Sequence, residues 1–287
     1  MTGLFVRTAR SLLRPVMPML KQRTLRIRST PARGYYGYAG QWSLPAPPDD
    51  EELFLRRLDY VGKTIYDIGA NVGATSLFFS GQVQDKGMVI GFEPNPDVFA
   101  VLKHHIELNK CQNVKIIGYA IGNETETSTL NVPHGGRGAG TLKSTVHEAS
   151  KDYSPNADLF GGADSIEDAL DAYEIQQITL DQFLDENDVP PPEIIKIDTE
   201  GFETECLYGM PRTLAEHHPS LFLEMHGYSD DEKRTNVRDI VDILKEHDYD
   251  LLHAETNTLV NRNNSDVAMQ GHIFAAIDSA EMRSVTN

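Results

Sequence analysis

The chain has 287 residues, 40% of them hydrophobic, enough for one substantial domain with additions. Its two cysteines, Cys111 and Cys206, are far apart and lack metal-like spacing, which argues against a disulfide framework or a zinc cluster. Residues 1–48 carry eight Lys and Arg and no acid; taking those eight from the net charge of -17 leaves -25 on residues 49–287. Such a surface repels phosphates and argues against a nucleic-acid substrate.

In chain order, Leu4 to Arg14 reads as a short helix with Arg7, Arg10 and Arg14 on one face, stopped by Pro15 and Pro18. It lacks the apolar length of a signal peptide or a spanning helix, so a cytoplasmic protein is expected. Residues 1–33 then form either a disordered tail or a weak peripheral attachment to an anionic inner membrane surface. Gly34 to Pro48 reads as a linker or a strap against the domain, which is expected over residues 49–280. The acidic surface, with 15 Arg to 11 Lys, also suits a salt-rich cytoplasm.

From residue 50 helices and strands alternate, which predicts a parallel sheet covered on both faces. Thr64-Ile65-Tyr66-Asp67-Ile68 is short, β-rich and bounded by Gly62 and Gly69, the pattern of a strand buried on both faces. Gly69 and Gly73 then allow a tight turn against which a ligand can lie, and a helix starts at Thr75. Nicotinamide and flavin enzymes carry G-x-G-x-x-G here. The present D-x-G-x-N-x-G, from Asp67 through Asn71 to Gly73, puts an acid ahead of the turn, which disfavours a pyrophosphate and suits a cationic nucleoside such as S-adenosylmethionine. Glu93 ends the next strand, Met88 to Phe92, 24 residues after Gly69, near the spacing of about 20 at which a carboxylate meets ribose hydroxyls.

Asp97 to Asn109 reads as a helix and Val114 to Gly122 as the third strand. Residues 134–176 read as an insertion covering the site, helical near Ser165 to Tyr173, either a solvated loop or a substrate lid. Leu180 to Leu184 leads into a fourth strand at Glu193 to Asp198. Another strand, Ser220 to His226, ends in ionisable groups, with Glu224 and His226 on one side of it by alternation. In a parallel sheet these ends share one edge with Asp67 and Glu93, where open α/β proteins bind ligands. Asp230 to Asp248 reads as a helix, Tyr249 to Leu252 and His272 to Ile277 as strands, and residues 256–271 as a polar connection.

Taken in order, Asp67 to Gly73, Phe92-Glu93-Pro94-Asn95-Pro96, Ala120-Ile121-Gly122, Thr179-Leu180-Asp181, Ile195 to Glu203 and Glu224-Met225-His226 resemble the FkbM family of S-adenosylmethionine-dependent methyltransferases. The resemblance covers roughly residues 60–227. It implies a Rossmann-like class I methyltransferase fold: α/β, a mostly parallel seven-stranded sheet with helices on both faces, six strands parallel and the last inserted antiparallel. It further implies methyl transfer to a hydroxyl of a glycan, glycolipid or small metabolite. The Asp67 to Gly73 turn would hold the methionine part, Glu93 the ribose and Tyr119-Ala120 the adenine edge, while Asp198, Glu224 and His226 would line the acceptor side.

His226 is the expected general base, since an unperturbed imidazole titrates near neutrality, with Asp198 or Glu224 orienting it. Alternatively Asp198, Glu224 and His226 hold a divalent cation that polarises the acceptor oxygen, or form a structural cluster. Lys196 is read as a structural partner for a nearby acid. The competing functions are a nicotinamide-dependent oxidoreductase and a cofactor-binding protein without turnover.

Overall fold

The computed structural model describes residues 24–27, 31–38, 48–133, 170–227 and 229–286. Its core is an eight-stranded sheet. The strands that build it are β3 (Thr64–Ile68), β4 (Met88–Phe92), β5 (Val114–Ile117), β9 (Ile194–Ile197), β10 (Ser220–Glu224), β11 (Asp250–His253), β12 (Thr258–Val260) and β13 (His272–Ala276), in the order β12-β11-β13-β10-β9-β3-β4-β5. Strands β5, β4, β3, β9 and β10 pair in parallel; β13 is antiparallel between β10 and β11, which leaves β11 parallel to the first five. This is the expected Rossmann-like class I arrangement of six parallel strands and one inserted antiparallel strand. The short hairpin strand β12, in the stretch expected to be mere connection, is added at one edge.

Period-two alternation divides the strand residues between two cores. Tyr66, Ile68, Ile195, Ile197, Leu221 and Leu223 face a core shared with α4 (Leu180–Glu186), α5 (Glu203–Tyr208), α6 (Pro211–Glu216) and α7 (Asp230–Glu246). Ile65, Val89, Ile194, Phe222 and Phe274 face the other, with α1 (Asp50–Leu55), α2 (Ala74–Val83) and α8 (Ser279–Thr286). Phe54 of α1 stacks on Phe222 with ring centroids 5.5 Å apart and lies 5.4 Å from Phe274. Burying each such ring is worth about 2–3 kcal/mol, so α1 is pinned to the middle of β10 and β13.

Several sequence expectations are corrected. Val114 to Gly122 is not one strand. The chain leaves the main sheet after Ile117 and resumes as β6 (Tyr119–Ile121), which joins β7 (Glu126–Pro133) and β8 (Leu170–Ile178) in a separate three-stranded sheet ordered β6-β8-β7. Leu170 to Tyr173, expected helical, is part of β8, so the expected insertion of 134–176 ends in a strand; residues 134–169 lie outside the described ones. Leu180 to Leu184, read as a lead into a strand, lies in α4, which is capped by the Thr179 hydroxyl accepting from the Gln182 amide.

Within the stretch expected as tail or strap, β1 (Thr24–Arg26) and β2 (Tyr36–Tyr38) pair antiparallel and Ile27 and Ala32 are buried with Leu77, Leu102 and Ile106, so this segment is a strap over α2 and α3 (Pro96–Asn109). The Asn109 side chain holds it by pairing with both the backbone N–H and C=O of Tyr36 at 2.7 Å. The basic residues 1–23 lie outside the described ones. Among the described residues no helix is long and apolar enough to cross a membrane.

Candidate active site

From β3 the chain runs through α2 to β4 on one side, whereas β9 lies on the other, so a crevice opens at the carboxyl ends of β3, β4 and β9. It is lined by Gly69, Asn71, Glu93, Asn95, Val98, Tyr119, Ala120, Ile121, Leu130, Asp198, Thr199, Glu200 and Phe202, among others.

The glycine turn closes because of its backbone. Gly69 and Gly73 have φ of 82° and 92°, and Asn71, tolerant of the left-handed region, has 49°. A Cβ on Gly69 would sit 1.8 Å from the Asp198 carbonyl oxygen, so a side chain there would force β3 and β9 apart at the crevice. Gly69 and Ala70 both donate to the Phe92 carbonyl, at 3.0 and 2.9 Å, which ties the turn to the end of β4. His105 of α3, fully buried, has Nδ1 2.7 Å from the Val72 carbonyl and braces the turn from outside.

Asp67 does not reach into the crevice. It is fully buried, accepting from the hydroxyls of Thr75 at 2.8 Å and Ser76 at 2.5 Å, with Gly91 and Lys196 as its neighbours in register. It thus anchors the first turn of α2, where a negative charge also suits the helix dipole.

Glu93 does face the crevice. Its two carboxylate oxygens accept from the backbone N–H of Asn71 and of Asn95, each at 2.9 Å. Burial raises its pKa to about 7, in part offset by those two hydrogen bonds. An ionised carboxylate offers about four lone-pair sites, so both oxygens can still accept from a diol. Tyr119, 39% exposed, and the buried Ala120 line the apolar slot beside it with Val98, Ile121 and Leu130.

At the other end Asp198, Glu224 and His226 come together as expected. His226 Nε2 lies 3.5 Å from Glu224 Oε1 and 4.0 Å from Asp198 Oδ1. Two acids not assigned a role from sequence complete the ring's surroundings: Glu200 Oε2 is 3.8 Å from Nε2, and Glu203 Oε1 is 3.1 Å from Nδ1. Both belong to the run Asp198 to Glu203, three acids in six residues directly after an apolar strand, a density that marks the place without showing which groups meet. Glu200 has a φ of 53°, a costly conformation for a residue with a Cβ.

These neighbours bear on the role expected of His226. Burial works against the charged ring, but hydrogen bonds to Glu203 and Glu224 and the charges of Glu203 and Asp198 outweigh it and push the pKa to about 11. These acids favour the charged ring, the form that has no lone pair with which to accept a proton. Asp198 is shaped by the opposite balance: burial opposes its ionisation, while Lys196 and His226 hold its carboxyl below the usual value. Lys196, 2% exposed, donates to Asp198 Oδ2 at 3.0 Å and lies 3.9 Å from Glu51 Oε1, the buried partner of acids that its position suggested. Glu200 is raised, chiefly by burial.

A crevice at the switch point of an open α/β sheet, with a carboxylate braced by two backbone N–H groups at one end and an acidic group at the other, lies where such folds bind their ligands. The chain belongs to the methyltransferase FkbM domain family, whose pattern it matches over residues 67–251. It shares 27% identity over 150 residues with the hexuronic acid methyltransferase AglP of Haloferax volcanii, 52% of this chain and 51% of that protein. It shares 23% over 205 residues with the AMB antimetabolite synthetase AmbE of Pseudomonas aeruginosa, 65% of this chain and 9% of that one. The chain therefore spans about half the length of the first relative and under a tenth of the second. Among solved structures, the FkbM methyltransferase of Methylobacillus flagellatus aligns over 76% of this chain and 44% of its own, at 18% identity and a TM-score of 0.44.

Proposed function

We propose that the protein is an S-adenosylmethionine-dependent methyltransferase acting on a hydroxyl oxygen of a glycan, glycolipid or small metabolite. The observation that carries this reading is the arrangement of one crevice: Glu93 braced by two backbone N–H groups, a glycine turn beside it, and an acidic group at the far end. The residues fit the cofactor. Glu93 would accept from the ribose hydroxyls, Val98, Tyr119, Ala120, Ile121 and Leu130 would enclose the adenine, and the turn from Gly69 through Asn71 to Gly73 would take the methionine end. Asp67 would act through the turn that it anchors. The negative charge of Asp198 and Glu200 suits an ammonium and a sulfonium.

The bound cofactor supplies a methyl group already activated by positive sulfur, so positioning of the acceptor contributes much of the remaining catalysis. Asp198, Glu224 and His226 would seat the acceptor oxygen. Its proton would pass to Glu200, which lines the same crevice, whereas Asp198 is committed to Lys196. The relative named for hexuronic acid supports a carbohydrate acceptor, and the relative named an antimetabolite synthetase keeps a small metabolite in the class. A glycolipid would be met at a membrane surface, which the basic residues 1–33 favour; loss of co-sedimentation with anionic vesicles on their removal would support this.

Calorimetric titration with S-adenosylmethionine and separately with NAD, in high and low salt, tests the central reading. Selective binding of S-adenosylmethionine, followed by methyl transfer to a member of a glycan panel, is the expected outcome. Preference for NAD would overturn it, and tight S-adenosylmethionine binding without turnover on any acceptor would favour a binding protein.

A further inference from the structure

Asp198, Glu224 and His226 each offer one ligand atom, and these atoms lie within 4.8 Å of one another. Small side-chain movements would bring them to the distances of about 2.0–2.3 Å at which one cation gathers its ligands.

Two further observations point to a ligand at this place, and neither is a matter of acidity. The first is the way His226 is held. Glu203, its side chain 1% exposed, accepts from the backbone N–H of Thr199 at 3.2 Å and of Gly201 at 3.0 Å, and the same oxygen meets His226 Nδ1 at 3.1 Å. A carboxylate there places the hydrogen on Nδ1 and turns Nε2 toward Asp198 and Glu224. This is the arrangement that fixes the tautomer of metal-bound imidazoles.

The second is His272, directly opposite Glu224 in the β10–β13 pairing and nine-tenths buried. Its Nδ1 is fixed by Glu255 Oε1 at 2.6 Å, yet its buried Nε2 makes no hydrogen bond and faces Glu224 Oε2 across 3.9 Å. Buried ring nitrogens are normally satisfied. A water in the shell of a cation beside Glu224 would fill that gap.

The charges agree. Four carboxylates, Asp198, Glu200, Glu203 and Glu224, lie within 4.0 Å of one imidazole, with Lys196 on Asp198 and His272 3.9 Å from Glu224. Clustered charges partly withdrawn from water are paired or coordinate a metal.

We propose that Asp198, Glu224 and His226 bind one divalent cation of the Mg2+ or Mn2+ class, with Glu203 setting the tautomer of His226, and that this cation grips the acceptor oxygen. Two carboxylates and one imidazole form a mostly oxygen donor set suited to these hard ions. Coordination would lower the proton affinity of an acceptor hydroxyl. The proposal rests on reading the Asp198 side of the crevice as the acceptor end.

The test is Mn2+ uptake by chelator-treated full-length protein, followed through the loss of the free-ion electron paramagnetic resonance signal, with S-adenosylhomocysteine present and absent. One Mn2+ per chain, displaced by excess Mg2+, is expected. Asp198→Asn also strips Lys196 of its partner and can unfold the chain, so the main variants are Glu224→Gln and Glu203→Gln, checked for intact thermal unfolding. Glu224→Gln should abolish uptake, and Glu203→Gln should weaken it about 10-fold or more. The exposed Asp266→Asn should change nothing. No uptake by folded wild type, or uptake unchanged in Glu224→Gln, overturns the proposal. Methyl transfer persisting in metal-free protein would refute the cation while leaving the methyltransferase reading intact; Mn2+ uptake without S-adenosylmethionine binding would do the reverse.

Discussion

If Glu93 holds the ribose as proposed, cofactor binding depends on pH in a direction that its burial sets. The ribose hydroxyls are donors, so they need the charged carboxylate, and burial has moved its pKa to about 7. Affinity for S-adenosylhomocysteine should therefore be flat above pH 8 and fall as acid is added. At pH 6 it should be about 10-fold weaker and at pH 5 about 100-fold weaker, since each pH unit below the pKa costs about 1.4 kcal/mol. Glu93→Gln removes this slope. It also weakens binding at every pH, because the amide NH2 of glutamine must face the backbone N–H of Asn71 or Asn95, a donor against a donor.

The same group leaves a mark on the cofactor-free protein. Its folded pKa lies above the unfolded value, so its stabilising contribution is fully present below about pH 4.5 and is lost as pH rises through 7. That is a change of about 3 kcal/mol, absent from Glu93→Gln. The assay is calorimetric titration of wild type and variant at half-unit steps from pH 5 to 8.5, with urea unfolding alongside. An affinity that stays constant from pH 8 to 5.5 in folded wild type, or a slope that survives in Glu93→Gln, would refute the reasoning.

Gly69→Ala should cost at least about 2 kcal/mol in urea unfolding, because φ of 82° strains any other residue and the new Cβ meets the Asp198 carbonyl; wild-type stability would show that the crevice is not drawn together here. Lys196→Met should destabilise by about 3–5 kcal/mol, since it leaves Asp198 and the fully buried Asp67 without their common cation; a loss below 1 kcal/mol would mean that the acids are protonated in the fold. His105→Phe should keep the fold but weaken S-adenosylhomocysteine binding about 5-fold, by freeing the Val72 carbonyl that braces the turn, and unchanged affinity would count against that brace. With a net charge of -17, the midpoint of thermal unfolding should rise as potassium chloride is added from dilute buffer, where self-repulsion is least screened; full stability and activity in dilute buffer would remove the expectation of a salt-rich habitat.

The parallel core strands were legible because each is a contiguous apolar run, and burial on both faces leaves such a run little freedom to be anything else. The turn from Gly69 to Gly73 and the acid Glu93 were legible for a similar reason: the turn needs particular residues at adjacent positions, and Glu93 ends the very next strand. Where local pattern was ambiguous it misled. Val114 to Gly122 is one apolar run by composition, yet it divides between two sheets, because pairing partners more than 50 residues away, in β8, capture its second half. Asp67 is acidic and precedes the turn, but only the packing of α2 shows that its charge is consumed by Thr75 and Ser76.

His226 shows the limit most clearly. Its identity and its place beside Glu224 follow from the order of residues along one strand. Its protonation does not, since the field at the ring sums over Asp198, Glu200 and Glu203 from the β9 loop and α5, and over Glu224 from its own strand. Hydrogen-bonding patterns of turns and strands are short-ranged and leave their record in neighbouring residues. Electrostatic fields add over whatever the fold brings within a few ångströms, so the chemistry of the acceptor end was decided only when the loops met.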